Sequence, residues 1–346
     1  MVSRLGYMGR KLGGWIPPAL SQLLAHGLGR PAAVFFHGVE PVTLDPQVQV
    51  NHHEAPVFRA IMSELRRNFD VLPLAVLDEV LCHPERHRRT VFLMSDDGYA
   101  NTLSHAAPIL EELGLPWTLF VSTHHIDTRD RNPVFLARLF FCCMPAGRYE
   151  VPHLPALELE GPETREAMTQ AGTACLHGLD MDRANEAVAA MVKALEQAGL
   201  ASLIERFSSE SFLTWPQVRE LKRRGVEIGA HAHWHWPLNA AQTAAQLREQ
   251  ARRPRQRIEA EIGPCRYFAY PFGNTGDVSR AGWQAVRDAG YEAAFTTVTG
   301  TPEVEQNRFL LPRYGIGPDE THLASLIPLL SAGNRRLMRW QKELAA

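Results

Sequence analysis

Short apolar runs that stop abruptly at polar or turn-forming residues recur along the chain. Ala32–Phe36 ends at His37-Gly38, Thr90–Met94 at Ser95-Asp96-Asp97-Gly98, Val226–Ala230 at His231, and Tyr267–Tyr270 at Pro271-Phe272-Gly273. Runs of this length and makeup predict buried strands. Between them the spacing turns helical. Leu103–Leu113 places apolar side chains at helical intervals and stops at Gly114, a left-handed cap, before the strand Trp117–Val121. Thr214 and Gln217 form a capping-box pattern, Pro216 suits an early helical position, and Gly225 closes that helix just ahead of Val226. Ala281–Ala289 repeats the arrangement, with Gly290 as the stop and Tyr291–Phe295 as the next strand. Strands alternating with helices predict a parallel sheet, and more than five such units predict an α/β fold closed or nearly closed into a distorted (β/α) barrel. Functional side chains of such barrels gather at the carboxyl ends of strands, where these Asp and His residues fall.

The stretch from about residue 127 to 210 breaks the rhythm. Its pattern is mainly helical with few strand signals, so it reads as an insertion whose apolar positions around Leu136, Leu139, Phe140 and Phe141 pack against the barrel. The expected organisation is an N-terminal extension over 1–30, the barrel with its insertion over 31–320, and a helical tail over 321–346. The tail segment Arg335-Arg336-Leu337-Met338-Arg339-Trp340 reads as a solvated terminal helix, with contact to a membrane surface as the alternative.

Composition narrows the partners. A content of 45% hydrophobic and 21% charged residues is that of a folded domain, and a net charge of -2 removes the electrostatic case for nucleic acid. Five cysteines, with Cys142 and Cys143 adjacent, make a poor disulfide framework and predict reduced thiols. No apolar run reaches the roughly 18 residues of a membrane span. The first residues lack the continuous apolar stretch of a secretory signal, since Gly13-Gly14-Trp15-Ile16-Pro17-Pro18 follows the basic positions Arg4, Arg10 and Lys11. A cytoplasmic protein is expected, at most peripheral at the inner membrane surface. Nothing in the pattern sets the oligomeric state.

The candidate chemistry lies in three segments. Asp96-Asp97-Gly98 alone reads as a turn, because Asp-Gly tolerates left-handed geometry. Two carboxylates directly after a buried strand repel each other, however, unless a cation or proton separates them. His231-Ala232-His233-Trp234-His235-Trp236-Pro237 puts three imidazoles in five residues. His231 and His235, four apart, come to one side of a helical winding with His233 pointing elsewhere, while Pro237 keeps any helix short. A surface His cluster is the structural alternative; the position after a strand favours a shared ion. Arg266–Gly273 supplies a cation at one end of a strand and a Pro/Gly turn at the other, which is also what an ordinary structural strand offers.

Taken together the segments resemble the polysaccharide deacetylase family, also called the NodB-homology domain or carbohydrate esterase family four. The resemblance rests on Asp96-Asp97-Gly98-Tyr99 through Asn101, Pro108-Ile109-Leu110 and Gly114 to Phe120-Val121-Ser122-Thr123, on Glu227–His231, on Phe268–Gly273 and on Leu311-Pro312-Arg313-Tyr314. It covers roughly residues 32 to 316, with the helical insertion matching least. It implies a divalent ion on Asp97, His231 and His235, most readily zinc, with nickel, cobalt or iron compatible with the same ligands. Such an ion lowers the pKa of water and polarises an acyl carbonyl. The resemblance further implies Asp96 as general base, Arg266 as the cation orienting it, and the backbone N–H of Phe272, where the family often has Tyr, as an oxyanion donor.

Several positions depart from the family pattern. Ser95 replaces Phe, Ala232 replaces the Ser or Thr that braces the metal loop, and Trp236 separates His235 from Pro237, which leaves His233 as a substitute ligand. No late Leu-x-His triplet follows Gly273 to supply the general acid; the resemblance to longer relatives with an early His implies His37, at the end of the first strand, as the proton donor, with His322 as the fallback. The implied activity is metal-dependent removal of an acetyl group from an N-acetylated sugar, nucleotide-linked sugar or lipid-linked glycan precursor. A deformylase or other C–N hydrolase, or a carbohydrate-binding relative with little activity, stays open at this stage.

Overall fold

The computed structural model describes residues 30–320 and 335–345. The expected N-terminal extension, apart from Arg30, and the fallback residue His322 lie outside the described residues. The chain opens with β1 (Ala32–Phe36), β2 (Gly38–Glu40), β3 (His52–Glu54), α1 (Ala55–Asn68), β4 (Asp70–Val71) and α2 (Leu77–Cys82). There follow β5 (Thr90–Ser95), α3 (Ala107–Glu112), β6 (Thr118–Val121) and α4 (Thr123–Thr128). The insertion carries α5 (Pro133–Cys143), the hairpin β7 (Gly147–Tyr149) and β8 (Leu157–Leu159), then α6 (Pro162–His177), α7 (Met181–Gln197) and α8 (Ser202–Arg206). The barrel resumes with α9 (Trp215–Arg223), β9 (Glu227–Ala230), α10 (Ala244–Ile262), β10 (Tyr267–Ala269), α11 (Arg280–Asp288), β11 (Ala293–Phe295) and β12 (Tyr314–Gly315), and α12 (Arg335–Ala345) ends the described chain.

The main sheet runs β11-β10-β9-β6-β5-β1-β12, with β4 added to β5, and its strand pairs are parallel. It curls. Leu311 bridges Phe295 of β11, and three residues later Tyr314 pairs with Val34 of β1, so the segment from Leu311 to Gly315 joins the two ends of the sheet. The fold is thus the α/β barrel of short parallel strands anticipated from the alternating pattern. Thr214 and Gln217 form their capping box, and Gly114, Gly225 and Gly290 adopt left-handed φ at the helix stops.

Period-two alternation along the strands divides the apolar residues between two cores. Ala33, Phe35, Phe92, Met94, Phe120, Tyr267, Ala269 and Phe295 fill the barrel interior, plugged from below by Leu74 and Leu77. Val34, Phe36, Val91, Leu93, Leu119, Ile228 and Phe268 face outward beneath the helices. The insertion has a third core of its own: Leu139, Phe140 and Phe141 pack with Leu176, Met191 and Leu195. This corrects the expectation that those positions pack against the barrel. Their helix α5 lies against α6 and α7 instead, because an apolar stripe buries more completely between two helices than on a sheet already covered. The β7–β8 hairpin was also absent from the helical reading of this segment. In the tail, Leu337 and Trp340 of α12 are buried in the outer barrel core, and Gln341 donates to the Leu310 carbonyl at 2.9 Å. The apolar side of that helix is therefore used for packing on the barrel.

Candidate metal centre and its cavity

Two left-handed residues in succession, Asp97 (φ 73) and Gly98 (φ 86), turn the chain sharply after β5 and aim both carboxylates inward. The Asp97 carbonyl accepts from Ser122 N at 3.3 Å, and Asp96 N donates to Phe36 O at 3.0 Å, which ties the turn to the neighbouring strands. The loop after β9 has left-handed residues too, at Ala232 (φ 59) and His235 (φ 57). Left-handed backbone at non-glycine residues is costly and persists only where the surroundings over-determine it. Four of the six such residues among those described, with Phe272 (φ 59) as the fourth, stand at this one site.

Asp97, His231 and His235 converge. His235 Nε2 lies 2.8 Å and His231 Nε2 3.2 Å from the same Asp97 Oδ1, and all three groups are buried, with ligand atoms within 4.8 Å of one another. The rings meet, but not through a helical winding, since residues 231–237 are irregular. The turn at Ala232 sends His233 to the other side, where its Nδ1 bonds Thr123 Oγ1 at 2.7 Å and its ring packs on His124 and Trp234. His233 is thereby removed as a substitute ligand.

The donor set suits a divalent cation. The Nδ1–H of His231 donates to the Ala269 carbonyl at 2.8 Å, which leaves Nε2 of the neutral ring with a lone pair facing the carboxylate. Two acceptors at that distance repel unless a cation lies between them. One carboxylate and two imidazoles are a sound set for zinc, with a further position open to water. Burial raises the Asp97 carboxyl, but the His235 and His231 imidazoles beside it outweigh that and hold the group well below the usual range.

Asp96 takes a different partner from the one expected. Arg313 grips it with both forks, Nη1 to Oδ1 and Nη2 to Oδ2 at 2.8 Å each, at side-chain exposures of 0% and 2%. The guanidinium is fixed by its Nε donating to Thr296 O at 3.0 Å and by the Phe35 ring 4.2 Å beneath it. Burial raises the Asp96 carboxyl; the Arg313 charge more than offsets it, so the pKa is lowered and the group is ionised. Arg266 pairs with Glu292 on the exposed outer face at 2.6 Å, and its assignment to Asp96 is overturned. The reason is topological: Arg266 precedes β10 and so stands at the amino end of a parallel strand, whereas Asp96 follows β5 at the carboxyl end. Arg313 sits in a segment already noted for its resemblance, yet a lone Arg between Pro and Tyr carries no mark of its partner.

The site opens into a cavity of about 660 Å³ lined by residues that include His37, Asp96, Asp97, Tyr99, His231, His235 and Phe272. His37 is anchored through its carbonyl, which accepts from Ser95 Oγ at 3.1 Å. The serine that departs from the family pattern thus braces the loop after β1. Phe272 keeps its left-handed turn because Gly273 follows: a Cβ on Gly273 would meet Thr297 N at 2.8 Å. Two braces escaped the sequence reading. Gln250 of α10, fully buried, accepts from His233 N at 3.0 Å and Trp234 N at 2.9 Å and donates to Trp236 O at 3.3 Å, doing for the loop what Ala232 does not. Asn132 caps α5 through Val134 N at 2.9 Å while its amide meets His235 Nδ1 at 3.3 Å.

The barrel thus carries a buried acidic and imidazole cluster at the carboxyl ends of its strands. The model of the polysaccharide deacetylase family matches residues 83–294, more than half of the chain, and the protein belongs to that family. The family is one of hydrolases acting on acylated sugars. No curated protein sequence matches the chain. Similar solved structures include the Streptococcus pyogenes deacetylase PplD in complex with acetate, at 14% identity and TM-score 0.54 over 90% of this chain and 98% of that one. IcaB from Ammonifex degensii has 15% identity and TM-score 0.53 over 88% and 98% of the two chains. A de-N-acetylase from Aggregatibacter actinomycetemcomitans has 16% identity and TM-score 0.51 over 84% and 96%. At these identities the likeness is one of fold. Among the described residues no helix is long and apolar enough to cross a membrane.

Proposed function

We propose that the protein removes the acetyl group from an N-acetylated sugar of a glycan or glycan precursor, releasing acetate and a free amine. The observation that carries this reading is the buried Asp97, His231 and His235 trio sharing one cavity with an ionised Asp96 clamped by Arg313. Asp97, His231 and His235 would hold a divalent ion, most readily zinc, which would supply Lewis-acid polarisation of the acyl carbonyl and acidify water. Asp96 accepts the proton of the attacking water, and Arg313 keeps it ionised for that task. The N–H of Phe272 donates to the oxyanion as the carbonyl carbon becomes tetrahedral. His37, on the wall formed by the end of β1, protonates the leaving nitrogen as the C–N bond breaks.

The test is release of acetate and formate from N-acetylated and N-formylated nucleotide sugars, lipid-linked sugars and chito-oligomers by zinc-, nickel- or cobalt-loaded protein. Acetate release is expected. Asp97→Ala should abolish tight metal binding, whereas Asp96→Asn should retain the metal and lose on the order of 10²–10⁴ in turnover, the range for a general base. His37→Ala should lower kcat over a comparable range. Equal turnover in the Asp96 and Asp97 variants would refute the division of roles, and formate as the main product would move the reaction to deformylation.

A further inference from the structure

The insertion reaches the cavity as well as flanking it. Asn132, Val134, Phe135, Arg138, Thr173 and His177 all line it. His177 is the last residue of α6, and its backbone is pinned by Asn239 Nδ2, which donates to the His177 carbonyl at 2.7 Å. The ring rests on that of Phe272, centroids 3.8 Å apart, and Phe272 in turn stands 5.0 Å from the His235 ring. His177 is thus two ring contacts from the candidate metal centre. Its Nδ1 lies 3.5 Å from Asp277 Oδ1, and Asp277 is itself fixed by Asn274 N donating to Oδ2 at 3.0 Å. Nε2 is buried and has no hydrogen-bond partner.

A carboxylate-oriented imidazole with an unpaired buried nitrogen, seated on an aromatic ring in a polar cavity, is a site awaiting a partner, because buried polar atoms are almost always satisfied. Sugars present that complement: C–H faces for the Phe272 ring and hydroxyl edges for the imidazole. The barrel order separates this wall from His37, which follows β1 on the far side of the mouth from β10. We propose that His177, held by Asp277, hydrogen-bonds a ring hydroxyl of the acylated sugar, so that selection for a hydroxylated substrate enters through the insertion. This deepens the deacetylase reading and rests on it.

The experiment compares kcat/KM for tetra-N-acetylchitotetraose with that for 4-nitroacetanilide, an acetamide without hydroxyls, using zinc-loaded full-length protein. In His177→Ala the sugar-to-anilide ratio should fall about tenfold, the loss of one substrate hydrogen bond. Asp277→Asn should lower the ratio in the same direction. His177→Gln, which keeps a polar group at the ring's position, should bring it back to within about threefold of the parent. An unchanged ratio, or equal losses on both substrates, would overturn the assignment. Titration calorimetry with chitotetraose separates this proposal from the reading beneath it. Should the parent bind the oligomer and release no acetate, the deacetylase reading fails, yet about tenfold weaker binding by His177→Ala still upholds the contact. Equal affinities, or none in the parent, would end it.

Discussion

Asp96 and Asp97 are adjacent, both buried and of one chemical type, yet their neighbours are opposite in kind. Asp97 faces two imidazoles and nothing with a fixed charge, so it has a place for a cation; Asp96 faces a guanidinium that fills both its oxygens. The cost of disturbing the second arrangement follows from its burial. Arg313→Met strands a buried carboxylate and should destabilise the protein by about 3–5 kcal/mol, while Arg266→Met, which breaks an exposed pair, should cost no more than about 1 kcal/mol. Urea unfolding of the two variants checks the contrast, and similar midpoints would show that the Arg313 pair is not the buried clamp described. The chain names the carboxylates plainly, by their place after an apolar run. It does not name their cation, because Arg266 and Arg313 differ only in which end of the barrel they reach.

The elements that carry the site are short strands whose ends were legible and loops whose conformations were not. Alternating strands and helices, the stops at Gly114, Gly225 and Gly290, and the capping box at Thr214 follow from local chemistry, so the barrel could be read from the sequence. The path from His231 to Pro237 depends on a residue from another element. Gln250 looks like one polar position in an amphipathic helix, and only its complete burial beneath the loop reveals the brace. Gln250→Ala leaves one buried and one part-buried N–H group unpaired and should cost about 1–3 kcal/mol per unsatisfied group at most. Because the loop holds two of the three proposed ligands, metal affinity should fall about 10–100-fold, as for other supports of metal ligands. Competition with a fluorescent chelator measures it; unaltered affinity would mean the loop holds its shape without the glutamine. The insertion was misread for a related reason: helical periodicity reports that a face is buried, not which surface buries it.

Across the whole molecule, the barrel and the insertion meet at a buried polar seam. Where the chain returns from the insertion, Leu213 N donates to Gly98 O and Ala100 N to Ser211 O, and Tyr99 stacks on Phe212 at 5.3 Å. Beside them Glu210 is buried with its Oε1 3.5 Å from His52 Nδ1. Burial pushes the Glu210 carboxyl from 4.5 up to about 7. The folded protein therefore keeps this proton through a range in which the unfolded chain has lost it. Stability from this group falls as pH rises from about 4.5 to 7 and is level above. Glu210→Gln removes the fall, so between pH 4.5 and 7.5 the metal-free variant should gain up to about 3 kcal/mol on its parent. Urea titrations at several pH values in chelator would show it, and a difference that does not change with pH would count against a protonated Glu210.

The seam that closes the barrel also sets an order of assembly. Asp97, His231 and His235 are all present once the chain has been made as far as the loop after β9, but the guanidinium for Asp96 arrives only with residues 311–315, the piece that joins the two ends of the sheet. A nascent chain therefore carries the three candidate ligands well before it carries the guanidinium that clamps Asp96, and the last turn of the circle is what completes the proposed base.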